Sequence, residues 1–210
     1  MMRLWILILA ATPAYGQAVV IRTSTLLDGK GHVLKNTDLT IEGGRIARIG
    51  VAKGKAAIDL TGMTVMPGWI DTHIHATWYF NRDGRLEQGG RGAKSTPQQA
   101  ALYAAANLYA TLMGGFTTVQ SVGAELEGDL RAQIASGALA GPRLLTSLRQ
   151  VSETTGDPGQ IREYVRKMKA DGADVVKLFA TASIRDGGKM TMTPEQITAA
   201  CGEEIGRAHV

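Results

Sequence analysis

From residue 63 onward, short β-branched runs alternate with helical segments free of internal breakers, and this alternation constrains the fold more than any other feature. Residues 63–75 read as a strand interrupted by Pro67-Gly68. Residues 98–113 read as an Ala- and Leu-rich helix that Pro97 starts and Gly114-Gly115 ends. Phe116-Thr117-Thr118-Val119-Gln120-Ser121-Val122 is the next strand, residues 125–136 a helix stopped at Gly137, and residues 143–148 a third strand. Residues 158–170 place Ile161, Val165 and Met168 on one helical face. Val175-Val176-Lys177-Leu178-Phe179-Ala180 is a fourth strand, and a helix begins at Pro194. Strands separated by helices imply parallel pairing through right-handed crossovers. The fold class is therefore α/β. Periodicity alone leaves two architectures open, a doubly wound sheet and half of an eight-stranded barrel.

The stretch before this series has a different period. Val19-Val20-Ile21 is apolar, while Leu39-Thr40-Ile41 and Arg45-Ile46-Ala47-Arg48-Ile49 alternate, with turn signals at Asp28-Gly29, Gly31 and Glu42-Gly43-Gly44. Residues 18–60 thus predict a small antiparallel sheet module, too small to stand without a partner surface. Hydrophobic residues make up 44% of the 210, enough for a sizeable core, and 26 glycines against three phenylalanines fit many tight turns.

The charge balance, 23 Lys and Arg against 19 Asp and Glu, gives a net +4 spread along the chain with no basic run. Nucleic acid is excluded as a partner on that ground. Arg3, the apolar stretch 4–11 and the small-x-small site Ala14-Tyr15-Gly16 read as a secretory signal over residues 1–16, predicting a periplasmic or secreted protein. That apolar run is far shorter than the ~20 residues of a membrane-spanning helix, so no span is expected in the mature chain. Cys201 is the only cysteine and has no partner for an internal disulfide; ordinary helix packing is its expected role. Residues 204–210 resemble the translation of a sequencing-adapter oligonucleotide, which places the natural sequence's last residue in this chain near Glu203.

The chemistry concentrates in Pro67-Gly68-Trp69-Ile70-Asp71-Thr72-His73-Ile74-His75. Side chains two apart on a strand share a face, so His73 and His75 present two imidazoles together while Ile74 points away. Paired neutral imidazoles suit zinc or a similar divalent ion, and the end of the first strand of a βα series is where barrel enzymes collect such groups.

These residues, with Gly115-Phe116-Thr117-Thr118-Val119 and Gly172-Ala173-Asp174-Val175-Val176-Lys177-Leu178-Phe179, resemble the amidohydrolase superfamily, particularly its imidazolonepropionase-like and Xaa-Pro-dipeptidase-like branch. The resemblance implies a partial (β/α)8 TIM barrel over residues 63–203, preceded by the N-terminal part of a composite β-sandwich at 17–62. It implies a binuclear metal site, zinc above all, with His73 and His75 as first-strand ligands. Lys177 matches the fourth-strand lysine that is carboxylated in the family and bridges the metals. The chemistry of a bridging lysine can be stated independently: an amine in an apolar strand meets a desolvation cost in its charged form, and a neutral amine can capture carbon dioxide as a carbamate. Snorkelling, or pairing with Asp174, is the alternative for this side chain.

The implied reaction is hydrolysis of a carbon–nitrogen bond in an amide, dipeptide or cyclic amide by metal-activated hydroxide. A lactonase or phosphotriesterase-type metallohydrolase, or a non-catalytic secreted α/β binding module, are the alternatives. The expected partner is a small-molecule or dipeptide substrate. The family's fifth- and sixth-strand histidines and its late proton-shuttling aspartate have no match in these 210 residues, and His32 reads as a solvated turn residue. A chain ending here is expected to be inactive, with open strand edges that favour insolubility or self-association. Many relatives carry Arg-Asp where this chain has Gln120-Ser121. At the end of the third strand, Arg149 is a candidate for binding a substrate carboxylate, with a surface salt bridge as the alternative.

Overall fold

The computed structural model describes residues 18–81, 83–88 and 95–203. The leader read at 1–16 and the adapter-like residues 204–210 lie outside the described residues. The chain divides into two compact units, one up to Pro67 and one from Gly68.

The first unit is a four-stranded sheet of β1 (Val19–Leu27), β2 (Val33–Glu42), β3 (Arg45–Ile49) and β4 (Ile58–Val65) in the order β3-β2-β1-β4. β2 is antiparallel to both β1 and β3, but β4 runs parallel to β1, so the sheet is mixed rather than antiparallel throughout. It also takes in residues 63–65, which the sequence assigns to the following strand. The reason lies at Gly62. Its positive φ of 87° and a register shift in β1 between Thr23 and Thr25 form an irregular stretch that stays attached to β1. The Gly62 N–H donates to Ser24 Oγ (2.8 Å) and Thr23 Oγ1 donates to the Met63 carbonyl (2.9 Å). Pro67, with no N–H for a ladder, then separates β4 from the next strand. Asp38 is buried at the centre of this unit, receiving Arg22 Nε at 3.0 Å and the Ala52 N–H at 2.8 Å. The Arg22 bond is the main reason its carboxyl lies below the ordinary range.

The second unit contains β5 (Trp69–Ile74), the two-residue strands β6 (Tyr79–Phe80) and β7 (Leu86–Glu87), α1 (Pro97–Met113), β8 (Phe116–Ser121), α2 (Leu126–Ala135), β9 (Arg143–Thr146), β10 (Gln150–Ser152), α3 (Pro158–Ala170), β11 (Lys177–Phe179) and α4 (Pro194–Gly202); the four predicted strands and four predicted helices are present, and β6, β7 and β10 are strands the sequence pattern does not announce. β5, β8 and β9 form a parallel sheet in the order β5-β8-β9, and β10 pairs in parallel with β11. The fold is mixed α/β. Among the described residues the strands do not close into a barrel.

Three helices start with the same device. Thr96-Pro97-Gln98-Gln99, Asp157-Pro158-Gly159-Gln160 and Thr193-Pro194-Glu195-Gln196 each give an N-cap side chain bonded to the N3 backbone, a reciprocal Gln, and Pro in the first turn. Two apolar clusters sit between helices and strands: one joins Ala104, Leu108, Val119, Leu130 and Leu144, the other Val151, Ile161, Val165, Met168 and Met192. Ile161, Val165 and Met168 are the face that helical spacing predicts.

Two strands are shorter than their sequence patterns suggest. The third ends at Thr146 because Leu148 takes a positive φ of 56°, a left-handed position that stops a ladder. The fourth is reduced to Lys177–Phe179, and its partner is β10, a strand the periodicity does not reveal. Ahead of it, the Asp174 N–H donates to the Thr146 carbonyl (2.8 Å) while Asp174 Oδ2 accepts the Thr146 N–H (2.9 Å). The Asp174 carboxylate also pairs with Arg131.

Candidate functional site

The C-terminal end of β5 carries His73 and, one residue beyond the strand, His75. Their rings lie on the same side with centroids 5.5 Å apart in an edge-to-face arrangement, as period-two alternation requires. The local backbone is pinned: the His73 N–H donates to Asp71 Oδ1 at 3.0 Å, and the Val122 N–H donates to the Ile74 carbonyl at 3.1 Å. Beyond His75 the chain turns, with the Trp78 N–H donating to the His75 carbonyl at 3.1 Å. From α1, Asn107 Nδ2 donates to the carbonyls of Ala76 (3.0 Å) and Trp78 (2.7 Å). The result lays the Trp78 indole flat against the His75 imidazole.

His73 is exposed and His75 is half-buried. Burial, then the neighbouring charges of His73 and Lys177, hold His75 below the usual imidazole range. The neutral ring is the form that ligates a metal. Lys177 opens β11 and is half-buried, its Nζ 5.2 Å from the centre of the Phe179 ring two residues on. Leu178, facing the other way, packs against the second apolar cluster. Asp174, the alternative partner of Lys177, is instead held by Arg131 and Thr146. The structure thus pairs His73 with His75, and the charge of Lys177 is felt at His75. No group of three or more His, Cys, Asp or Glu positioned for a metal occurs among the described residues. Two imidazoles, one of them shifted toward its neutral form, fit part of a divalent-ion ligand set, with the lysine offering a nitrogen rather than a carboxylate.

Arg149 shares an open cavity of about 440 Å³ with His75, Trp78, Leu148 and Phe179. Its guanidinium is engaged by two carboxylates, Glu125 at 3.2 Å and Asp171, and Lys167 Nζ bonds the same Asp171 at 3.0 Å. Asp171 is correspondingly held below the ordinary carboxyl range, mainly by Lys167. His32 is exposed and bonds through Nδ1 to Asp28 Oδ2 at 2.7 Å, away from any ligand cluster in its own unit. Cys201 is exposed on α4 rather than packed beneath it.

The amidohydrolase family model matches residues 64–206, more than half of the sequence. The chain belongs to the amidohydrolase family. An imidazolonepropionase from Saccharopolyspora erythraea is 26% identical over 196 residues, covering 87% of this chain and 46% of that protein. A dihydroorotase from Bacillus licheniformis is 33% identical over 106 residues, 49% of this chain and 21% of its own length. Among solved structures, a Xaa-Pro dipeptidase with bound methionine in the active site aligns with a TM-score of 0.76 at 26% identity, covering 89% of this chain and 54% of that one. This amidohydrolase chain thus spans about half, or less, of these relatives.

Two further residues near His75 and the ends of β5, β8 and β9 lie outside the motifs read above. Trp78 has no periodic signature, because it belongs to a turn. Glu127 does have one: with Leu130 and Ile134 it falls at i, i+3 and i+7 on α2, the face that packs inward, so the spacing buries a carboxylate.

Proposed function

We propose that this chain carries part of the metal site of an exported, metal-dependent hydrolase acting on carbon–nitrogen bonds of amides, dipeptides or cyclic amides. The observation that carries the reading is the pair of imidazoles on one face at the end of β5, where burial, then the charges of His73 and Lys177, shift His75 toward its neutral form. Family membership and the relatives' names, imidazolonepropionase and Xaa-Pro dipeptidase among them, support the bond type. In this reading β5, β8, β9 and β11 are the first four strands of an eight-stranded barrel, and β1–β4 belong to a β-sandwich.

His73 and His75 would hold a divalent ion, zinc in the simplest case, and Lys177 would bridge to a second. A bound ion of this kind supplies Lewis acidity that lowers the pKa of water and polarises a carbonyl. Lys177 would serve as a carbamate, formed when its neutral amine adds to carbon dioxide and releases one proton. This gives two anionic oxygens on a side chain that otherwise offers one nitrogen. Trp78 and Leu148 form an apolar wall of the cavity beside His75. The leader at 1–16 would direct the protein to the periplasm or outside the cell.

The test is metal analysis and hydrolysis of a dipeptide and cyclic-amide panel with the complete protein and its His73→Ala, His75→Ala and Lys177→Ala variants. The expected result is about two equivalents of divalent metal and turnover in the wild type, both lost in each variant. A wild-type protein that hydrolyses the panel after exhaustive chelation, or variants that retain full metal content, would overturn the assignment.

A further inference from the structure

We infer that Glu127 is a positioning residue for the His73–His75 pair, acting through Ser121 and the backbone of Ala76; the inference rests on the metal reading above.

Glu127 is fully buried in the first turn of α2. Its carboxylate accepts the Ser121 hydroxyl on Oε1 and the Thr146 hydroxyl on Oε2, both at 2.5 Å. Both donors are uncharged. Each hydroxyl accepts a backbone N–H in turn: Ser121 Oγ that of Ala76 (3.1 Å), and Thr146 Oγ1 that of Leu148 (2.9 Å). Ala76 is the residue directly after His75. Leu148 is the left-handed residue directly before Arg149. One carboxylate therefore joins the ends of β5, β8 and β9, the edge of the cavity that His75 and Arg149 line.

The backbone is shaped for this carboxylate. A Cβ on Gly123 would stand 2.7 Å from Glu127 Oε1, so glycine alone admits the close approach. A carboxylate buried without a cation is unfavourable, and burial pushes its pKa up despite the two hydroxyl donors. Simple packing here would be met at lower cost by leucine. What leucine lacks is the ability to fix two hydroxyl protons at once, and with them the lone pairs that receive Ala76 and Leu148. Ser121 has one proton; committed to Glu127, it leaves Oγ oriented as an acceptor for Ala76, which sets the backbone from which the His75 imidazole projects. Groups that orient ligands in this indirect way commonly alter metal affinity 10–100-fold when removed.

The experiment uses the complete protein stripped of metal, with zinc affinity measured by competition against a chelating dye and exchange of the Ala76 amide followed by NMR. Glu127→Gln keeps the shape but offers one acceptor where there were two, and Ser121→Ala removes the link. Leu130→Ala, a buried apolar truncation on the same helix, controls for loss of packing. The expected result is a roughly tenfold weaker zinc affinity in Glu127→Gln and in Ser121→Ala, and no further loss in the double variant because both act on one path. Leu130→Ala stays within about twofold of wild type on the same scale. Should Glu127→Gln not fold, Ser121→Ala decides. Zinc affinity unchanged in the folded variants overturns the inference. A wild-type protein that binds no zinc sinks the metal reading instead. Ala76 exchange then decides alone, with faster exchange in the two variants upholding the positioning role and wild-type exchange removing it.

Discussion

Trp78 lies flat on His75, ring centroids 3.9 Å apart and planes within 5° of parallel. The stack holds one face of the ring, and the edge-to-face contact with His73 constrains the other direction. Aromatic pairs of this kind contribute about 0.5–1.5 kcal/mol beyond the area they bury. A double-mutant cycle of Trp78→Ala and His75→Ala in metal-free protein should return a coupling in that range by urea unfolding. Trp78→Phe should keep most of it. Coupling indistinguishable from zero would mean that the turn, not the indole, orients His75.

The Pro67-Gly68 break has a steric meaning. A Cβ at Gly68 would stand 2.1 Å from both Thr117 Cγ2 and Thr117 Oγ1 and 2.6 Å from Thr117 Cβ, where β5 and β8 run side by side. Gly68→Ala should therefore destabilise by about 1–3 kcal/mol, the usual cost of overpacking. Thr117→Gly in the same chain should recover much of that loss. Thermal unfolding of the four proteins in the cycle measures it, and additivity of the two changes would refute the clash.

Glu127 makes stability depend on pH in a definite direction. Its folded-state pKa is raised above the ordinary 4.5, chiefly by burial. The stability this gives is complete below the ordinary value and is lost as pH rises through the raised folded value. Glu127→Gln has no proton to lose. As pH rises above the ordinary carboxyl value, the stability difference should shift against the wild type, read from urea unfolding at each pH. A difference that is flat with pH would show that the carboxyl titrates alike in both states.

The capping device predicts a local effect. Thr193→Ala removes the side chain that accepts the Gln196 N–H at 3.2 Å and should cost about 1 kcal/mol, whereas Thr193→Ser should cost little. Equal loss in both would trace the effect to the threonine methyl and not to the cap.

Most of the second unit was legible because its helices combine breaker-free runs with proline starts, and its strands carry β-branched residues between glycines. What escaped has specific causes. The parallel edge strand β4 hides behind Asp59-Leu60-Thr61-Gly62, which has the composition of a turn yet continues a strand across a bulge. β10 is three residues long, below the length at which periodicity speaks. At the candidate site, His73 and His75 stood out through their residue type and strand positions, and Lys177 through the resemblance to the amidohydrolase superfamily. Arg149 stood out equally, but the carboxylates that occupy it, Glu125 and Asp171, are 24 and 22 residues away and are joined to it only by the fold. The hydroxyl–carboxylate network of Ser121, Glu127 and Thr146 is non-local in the same way, although the inward spacing of Glu127 on its helix announced that a carboxylate would be buried.

The Thr146–Asp174 exchange of backbone and side-chain bonds has a consequence for the residue three positions further along. Side chains on a strand alternate, so sliding the fourth strand by a single residue would swap the faces taken by Lys177 and Leu178. With Asp174 latched to Thr146 through both its amide and its carboxylate, and Arg131 bolting that carboxylate from α2, the slide is blocked before the strand begins. Whether an amine or an isobutyl group shares the face of Phe179 is thus decided upstream, by a latch made of an aspartate, a threonine and an arginine.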